Sequence, residues 1–444
     1  MTTPHVQYLT RGRRTILLGR KGSGKSALFT QLPRLAHELD SNVIVSLVTP
    51  NQYAWSSLRS YREQGLSGQQ AAANAWKFTL IVEAVAALVS ADGAWSETAK
   101  KSIDVLRKFL SDNFGTIESG FLKSASAIVG GLRSLNLSAF GFGVGFESEK
   151  RDQIVTPAVL DALIDLLQTV VRSRGVILAL DRVDEVWDGS ESAKDIMIGL
   201  LMASKELNNR LQGDDFRSGL RVDVFLRSDI YDVLRFDEKD KLRALEEWIE
   251  WDSASLLEMV NKRLPRGVSI DEILDGEPMR GGIMPFDYIV KRTYLRPREV
   301  IQFLSEAQRR AGRGASVITK DAIREAEQKY SVWKVEDLKQ EFAKVFPDFD
   351  RLLEAFRQGV HRYDSEADVE ALLQDKVPDL VEVYGARPLV ERLFEYSVLG
   401  VRVANQGSAK FKAEDSDLML PANGSFYVHQ SLMRGLGITE ARKS

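Results

Sequence analysis

Gly19-Arg20-Lys21-Gly22-Ser23-Gly24-Lys25-Ser26 sits between a short apolar run, Thr15-Ile16-Leu17-Leu18, and a segment with helical character, Ala27-Leu28-Phe29-Thr30-Gln31-Leu32. Strand, glycine-rich loop and helix in that order carry the G-x-x-x-x-G-K-[ST] spacing of a phosphate-binding loop. Each residue type has a physical reason. Glycines let successive backbone N–H groups turn inward around an anion without a Cβ clash. The new helix points its positive end at the same place. Lys25 would reach the β- and γ-phosphates of a nucleotide, and Ser26 would hold Mg²⁺. The expected nucleotide contacts run through Gly19, Lys21, Gly22, Ser23, Gly24, Lys25, Ser26 and Ala27.

The 444 residues leave room for two to four domains, with 44% hydrophobic and 28% charged residues, the composition of a globular protein. A net charge of −3 offers no global basic field for nucleic acid. The chain has no cysteine, which removes disulfides, thiolate zinc sites and cysteine nucleophiles together. Met1-Thr2-Thr3-Pro4-His5 lacks an apolar signal core. The apolar stretch Phe78–Val89 is short for a membrane span and contains Glu83, so a buried core helix is expected, with no membrane partner and a cytoplasmic location.

Along the chain, residues 14–50 read as strand, loop, helix and strand, the second strand being Asn42–Val48. This alternation favours a parallel sheet covered by helices. Residues 51–150 interrupt it as an insertion, with helices over 76–89 and 102–114 and a Gly- and Ser-rich stretch, Gly120–Glu149, that suggests a hairpin or flap. A helix over 157–172 opens at Thr156-Pro157. Gly175–Asp181 is an apolar strand ending in an acid, and Leu220–Arg227 is a strand ending in a charge. From 253 the pattern is helical (253–264, 285–293, 297–312, 320–330), and again over 335–345, 348–358, 366–375 and 387–396. Strand-like Leu399–Val403 and Gly424–Val428 close the chain, and helices followed by a hairpin suggest a winged-helix module.

A phosphate loop needs a magnesium carboxylate at the end of a nearby strand, and Asp181 is the candidate. Hydrolysis also needs a group that orients or deprotonates water. In Asp181-Arg182-Val183-Asp184-Glu185 both Asp184 and Glu185 qualify, unless they cap the following segment or pair with Arg182. Arg227 is placed to read a γ-phosphate, the alternative being an ion pair with Asp229 or Asp232. Arg296-Pro297-Arg298-Glu299 starts a helix, from which an arginine would reach a nucleotide.

Taken in order, Gly19–Ser26, Ile177–Glu185, Val224–Asp229 and Arg296–Val300 resemble the STAND and origin-recognition-like branch of AAA+ P-loop ATPases, whose bacterial members often sit beside effectors of phage defence. Leu180–Trp187, Phe225–Asp229 and Glu250-Trp251-Asp252 look like that bacterial subgroup. The resemblance implies an α/β fold with a P-loop NTPase parallel-sheet core over residues 1–250, the insertion at 51–150 included. An AAA+-like helical lid at 251–330 and a C-terminal winged-helix-like domain at 331–444 would follow. It implies ATP or ADP with Mg²⁺ as ligands. Arg227 falls at the sensor-1 position, Arg298 at sensor 2 and Pro297 near the adenine. Arg182 stands where relatives commonly carry a second acid, which points to slow hydrolysis. Arg210 is the one guess for a trans-acting arginine.

The expected function is a nucleotide-dependent switch, coupling ATP to homo-oligomerisation or to an effector protein, in antiviral defence. A DNA-handling ATPase gripping nucleic acid through the C-terminal module is the alternative. Residues 331–444 hold 15 Lys and Arg against 19 Asp and Glu, a balance of −4 that speaks against a DNA-gripping face. Arg402, Lys410 and Lys412 form the local positive cluster.

Overall fold

The computed structural model describes residues 14–50, 68–92, 95–114, 157–185, 187–213, 216–402 and 407–438. The Gly120–Glu149 stretch, Thr156 and Val403 lie outside the described residues. Contacts divide the chain into two units, Met1–Arg20 with Lys25–Ile249, and Lys21–Gly24 with Glu250–Ser444.

The first unit is mixed α/β. Its elements are β1 (Ile16–Gly19), α1 (Lys25–Leu39), β2 (Ile44–Val48), α2 (Gln69–Ser90), α3 (Glu97–Phe114), α4 (Pro157–Val171), β3 (Val176–Leu180), α5 (Glu191–Leu211), β4 (Leu220–Arg227), α6 (Ser228–Val233) and β5 (Glu246–Trp248), with a 3₁₀ turn over Lys239–Leu245 before β5. The strands form one parallel sheet in the order β2-β3-β4-β1-β5. The crossover from β1 runs towards β2 and the later ones run back, so right-handed connections put α1 on one face and the helices after β2 on the other. The strand residues divide accordingly. Ile16, Leu18, Leu178, Leu180, Val222 and Val224 join the large core built with α2, α4 and α5. Leu17, Ile177 and Phe225 are buried on the opposite face, where Phe225 meets Phe29 of α1 edge-on at 5.7 Å.

Helix α2 is apolar on every side, and its residues Ala75–Leu88 are buried. It is long and apolar enough to cross a membrane, with a hydropathy of 1.4, but 83% of that window is packed inside the unit. An all-round apolar helix of this kind is the centre of a large core, as expected for 78–89. It packs on α5 through small residues: a Cβ added at Gly199 would lie 2.6 Å from the Ala72 Cβ. At the edge of that contact Asn208 replaces a missing strand partner, its side chain donating to the Val222 carbonyl at 3.0 Å and accepting from the Val222 N–H at 2.7 Å.

The second unit contains α7 (Ser253–Asn261), α8 (Ile270–Ile273), α9 (Pro285–Val290), α10 (Pro297–Ala311), α11 (Lys320–Phe342), α12 (Phe349–Glu354), β6 (Arg362–Tyr363), α13 (Glu366–Lys376), α14 (Pro378–Tyr384), α15 (Ala386–Glu395), β7 (Leu399–Arg402), β8 (Ser425–Val428) and α16 (Gln430–Met433). The last three strands form an antiparallel sheet, β6-β8-β7. Two helices were expected over 320–330 and 335–345, yet α11 runs unbroken through Ser331, and the boundary read at 330/331 falls inside it. Its first half supplies Ile323, Ala326 and Tyr330 to one core, its second half Val335, Leu338 and Phe342 to another. The apolar stripe therefore changes face midway, which in sequence mimics a break. Ser331 marks the change: its hydroxyl donates to the Ser431 carbonyl at 2.6 Å and accepts from the Gly435 N–H at 2.7 Å.

Gly199→Ala should cost about 1–3 kcal/mol, because α2 and α5 must separate to admit one methyl group. Thermal unfolding of the full chain checks this; an unchanged melting temperature would show that the two helices yield freely.

Candidate functional site

The loop after β1 is built as its sequence requires. Gly22 and Gly24 have φ of +84° and +102°, in the left-handed region where a side chain is strained. Lys25 opens α1 and is buried, while Ser26 and Ala27 stand exposed on its first turn. The Lys25 Nζ folds back along the loop and donates to the carbonyls of Gly19 at 2.5 Å and Arg20 at 3.1 Å. Burial pushes its ammonium down to about 8, against the opposing pull of Asp184, Asp229 and Asp181 and with the help of Arg227. Those four described residues carry charge close to Lys25 within the first unit.

The sheet order explains why they meet. β4 lies between β1 and β3, so the segments leaving the three strands emerge side by side. Gly19 is in register with Arg227, and Leu180 with Val48 and Val224. Asp181, 4% exposed, continues β3 with its N–H donated to the Val48 carbonyl. The chain then turns sharply. Arg182 has φ +59°, and Val183 and Trp187 are buried on either side of the turn. This anchors the Asp184 backbone and separates the two candidate acids. Glu185 points outward and lies 3.7 Å from the exposed Arg182 guanidinium. Asp184 points inward, its Oδ2 3.8 Å from Arg227 Nη1. Arg227 itself is gripped along one edge by Asp229, Nε to Oδ1 at 3.1 Å and Nη2 to Oδ2 at 2.5 Å. The ion pair foreseen as the alternative role of Arg227 thus exists, and it is buried.

Among the described residues no group of three or more His, Asp or Glu side chains forms a metal cage. Magnesium is commonly held by one or two protein ligands with substrate phosphates and water completing the shell. The exposed Ser26 hydroxyl and the Asp181 carboxylate are hard oxygen donors of that kind. Arg210, the guess for a trans-acting arginine, pairs with Asp161 of α4 at 2.6 Å.

The tip of the loop, Lys21–Gly24, groups with the second unit. There the Trp251 indole N–H donates to the Ser23 carbonyl at 2.8 Å, and Lys21 pairs with Asp337 of α11 at 2.8 Å. A Cβ added at Gly22 would lie 3.3 Å from the Arg298 Cβ. Pro297 is buried as the first residue of α10, while Arg298 is exposed beside it. Its neighbour Arg296 points the other way, into a fully enclosed charge network. Arg296 Nη1 donates to Glu341 Oε2 at 2.7 Å. Glu299 accepts from Lys334 Nζ at 2.6 Å, from the Tyr294 N–H at 2.6 Å and from the Tyr330 hydroxyl at 3.2 Å. This network ties the start of α10 to the middle of α11. The Arg227–Asp229 pair was foreseen, and Trp251 was singled out without a role; Asp337 and this cluster were missed, because their pairings are set by long-range packing.

Residues 243–339 match the model of a FunZ-associated C-terminal helical domain. The match runs from the 3₁₀ turn before β5 through most of α11 and includes Trp251, Arg298, Lys334 and Asp337. The chain is also similar to the putative transposon gamma-delta 80.3 kDa protein of Escherichia coli strain K12, 23% identical over 453 residues. That alignment covers 96% of this chain and 62% of the relative, so the chain spans less than two thirds of the relative's length.

Arg296→Met should destabilise the second unit by about 3–5 kcal/mol, because it removes one cation from a buried cluster that holds the carboxylates of Glu341 and Glu299. Arg298→Met, at an exposed position, should change stability by less than about 0.5 kcal/mol. Urea unfolding of the two variants checks the contrast, and equal losses would refute the assignment of the buried and exposed arginines.

Proposed function

We propose that the chain is a Mg²⁺-dependent ATP-binding switch of the P-loop class, with slow hydrolysis, whose nucleotide state governs oligomerisation or engagement of an effector protein. The observation that carries this reading is the convergence on buried Lys25 of Asp181, Asp184, Asp229 and Arg227, side by side at the carboxyl ends of parallel strands. On this reading the second unit supplies an AAA+-like helical lid and a winged-helix-like tail, and the site works in the cytoplasm, in antiviral defence.

The residues then have distinct roles. The loop backbone and Lys25 bind the β- and γ-phosphates. Ser26 and Asp181 hold Mg²⁺, which neutralises phosphate charge. Asp184 orients water; its inward position favours it over Glu185, which faces Arg182 and solvent. Arg227 reads the γ-phosphate. Arg298, exposed at the head of α10, reports closure of the helical region. Conversion between the states is a population shift driven by differential affinity for ATP and ADP.

The transposon in the relative's printed name favours the second reading, a DNA-handling ATPase. Against it, Lys412 of the cationic cluster donates to the Leu418 carbonyl and lies 3.8 Å from Glu395. DNA binding that disappears on reversing Arg402, Lys410 and Lys412 together would establish this alternative.

Lys25→Ala should abolish nucleotide binding, and ATP should bind more tightly than GTP; calorimetry tests both, with unchanged ATP affinity in the variant refuting the loop assignment. Light scattering with a non-hydrolysable ATP analogue and Mg²⁺ should show assembly, or a new complex once an effector is added.

The pH dependence has a definite sign. The Lys25 ammonium loses its proton near pH 8 in the folded chain, and a bound polyphosphate raises that value again. ATP affinity should therefore be constant below about pH 8 and fall by up to about tenfold per unit above it, with proton uptake on binding. Lys25→Arg, which stays charged, should flatten the profile. Calorimetry in two buffers of different ionisation enthalpy measures the uptake, and a flat profile without uptake would overturn the prediction.

A further inference from the structure

We propose that Trp251 is a positioning residue for the phosphate-binding loop: its indole N–H holds the Ser23 carbonyl on one side of the loop and so turns the Gly24 N–H to the side that meets a phosphate. This role rests on the proposed reading of Gly19–Ser26 as a nucleotide loop.

The peptide between Ser23 and Gly24 is a plane whose carbonyl and N–H point in opposite directions. Gly24, with φ +102°, has no Cβ to resist a flip of that plane, so the loop sequence by itself admits both orientations. One orientation offers a donor to an anion; the other turns a carbonyl oxygen towards it. The Trp251 indole N–H donates to the Ser23 carbonyl at 2.8 Å. That bond keeps the carbonyl on the side of the ring and leaves the Gly24 N–H facing away from it. Among the described residues no carbonyl accepts from the Gly24 N–H.

Trp251 can act as a restraint because it is itself held. Its backbone leads directly into the capping box of α7. There the Asp252 carboxylate accepts from the Ser255 N–H at 2.7 Å, and the Ser255 hydroxyl accepts from the Asp252 N–H at 3.0 Å. Its ring packs against the core that contains Leu256, Val260 and Phe303. The ring edge follows the loop closely, with Cζ2 3.9 Å from where a Gly24 Cβ would lie. At Lys21 the loop tip is pinned a second time, by the ion pair with Asp337 at 2.8 Å. The ion pair fixes a side chain, whereas the Trp251 contact fixes a peptide plane. The cost of ordering the loop then falls on folding and not on binding. Trp251 touches neither phosphate nor base on this account; it acts through the loop.

The discriminating measurement is calorimetric affinity for ATP, ADP and GTP, with Mg²⁺, in the full chain. It compares the wild type, Trp251→Phe, Lys25→Ala and a chain carrying 3-benzothienylalanine at position 251, which keeps the bicyclic ring and replaces its N–H by sulfur. Both changes at Trp251 should weaken binding about three- to tenfold, the scale of one hydrogen bond. The factor should be the same for all three nucleotides, because the loop meets phosphates common to them. The benzothienyl chain should keep the wild-type unfolding midpoint, and it carries the test if Trp251→Phe fails to fold. Wild-type affinity in the benzothienyl chain would overturn the positioning role. A loss that differs between ATP and GTP would overturn it in favour of a ring that stacks on the base. A loss in the benzothienyl chain that comes with a lowered unfolding midpoint would leave Trp251 a packing residue. Wild-type-like binding in Lys25→Ala, or a wild-type chain that binds no nucleotide, would instead overturn the loop reading and the proposal with it.

Discussion

The parallel pairing of β1 with β4 is the constraint on which the candidate site depends. β1 does not pair with β2, the next strand in sequence; it pairs with a strand some two hundred residues later, in a register that sets Gly19 beside Arg227. Because β3 pairs with the other edge of β4, Asp181 and the turn behind it come to the same end of the sheet. The glycine-rich loop is local, but its charged surroundings are made by this topology. Loosening the register by one residue would turn Leu17 and Phe225 to the wrong faces and break the contact with Phe29 of α1. Core packing thus enforces the alignment of the site.

Burial decides the chemical character of the charged groups more than their sequence neighbourhood does. Arg296 and Arg298 flank the same proline, yet helical geometry turns one into the interior and the other outward. The buried one meets Glu341 and Glu299, and Lys334 supplies the second cation, so each charge is partnered. Such a cluster is a costly way to gain stability, since well-packed apolar side chains often do as well. What it does provide is direction: hydrogen bonds from Tyr294 and Tyr330 to Glu299 fix the angle at which α10 leaves its N-terminus. The exposed Arg298 is carried on that fixed base.

The strands of the α/β unit were legible in the sequence because buried parallel strands are continuous apolar runs: Val176–Leu180, Leu220–Arg227 and Ile44–Val48 fall within the segments read. The apolar helix α2 was legible for the same reason. The different placement of Asp184 and Glu185 was not, since it accompanies a left-handed backbone at Arg182, a non-glycine residue, between an inward Asp184 and an outward Glu185. Nor was the continuity of α11, because a helix that serves two cores loses the single stripe by which helices are recognised. In each case a tertiary contact overrides a local pattern.

The charges around Lys25 also bear on how such a site accepts an anion. Asp181, Asp184 and Asp229 outnumber Lys25 and Arg227, and Lys25 itself holds its proton less tightly than a free lysine. A bare polyphosphate entering such a place meets net repulsion, relieved if a divalent cation arrives with it or if a proton is taken up. The Asp229 carboxylate is already committed to Arg227, so on the proposed reading the repulsion falls chiefly on Asp181 and Asp184. One of these would be satisfied by the cation and the other by water. On the proposed reading, the surplus of negative charge, which looks unfavourable for a phosphate site, would make affinity depend on the metal and the nucleotide together.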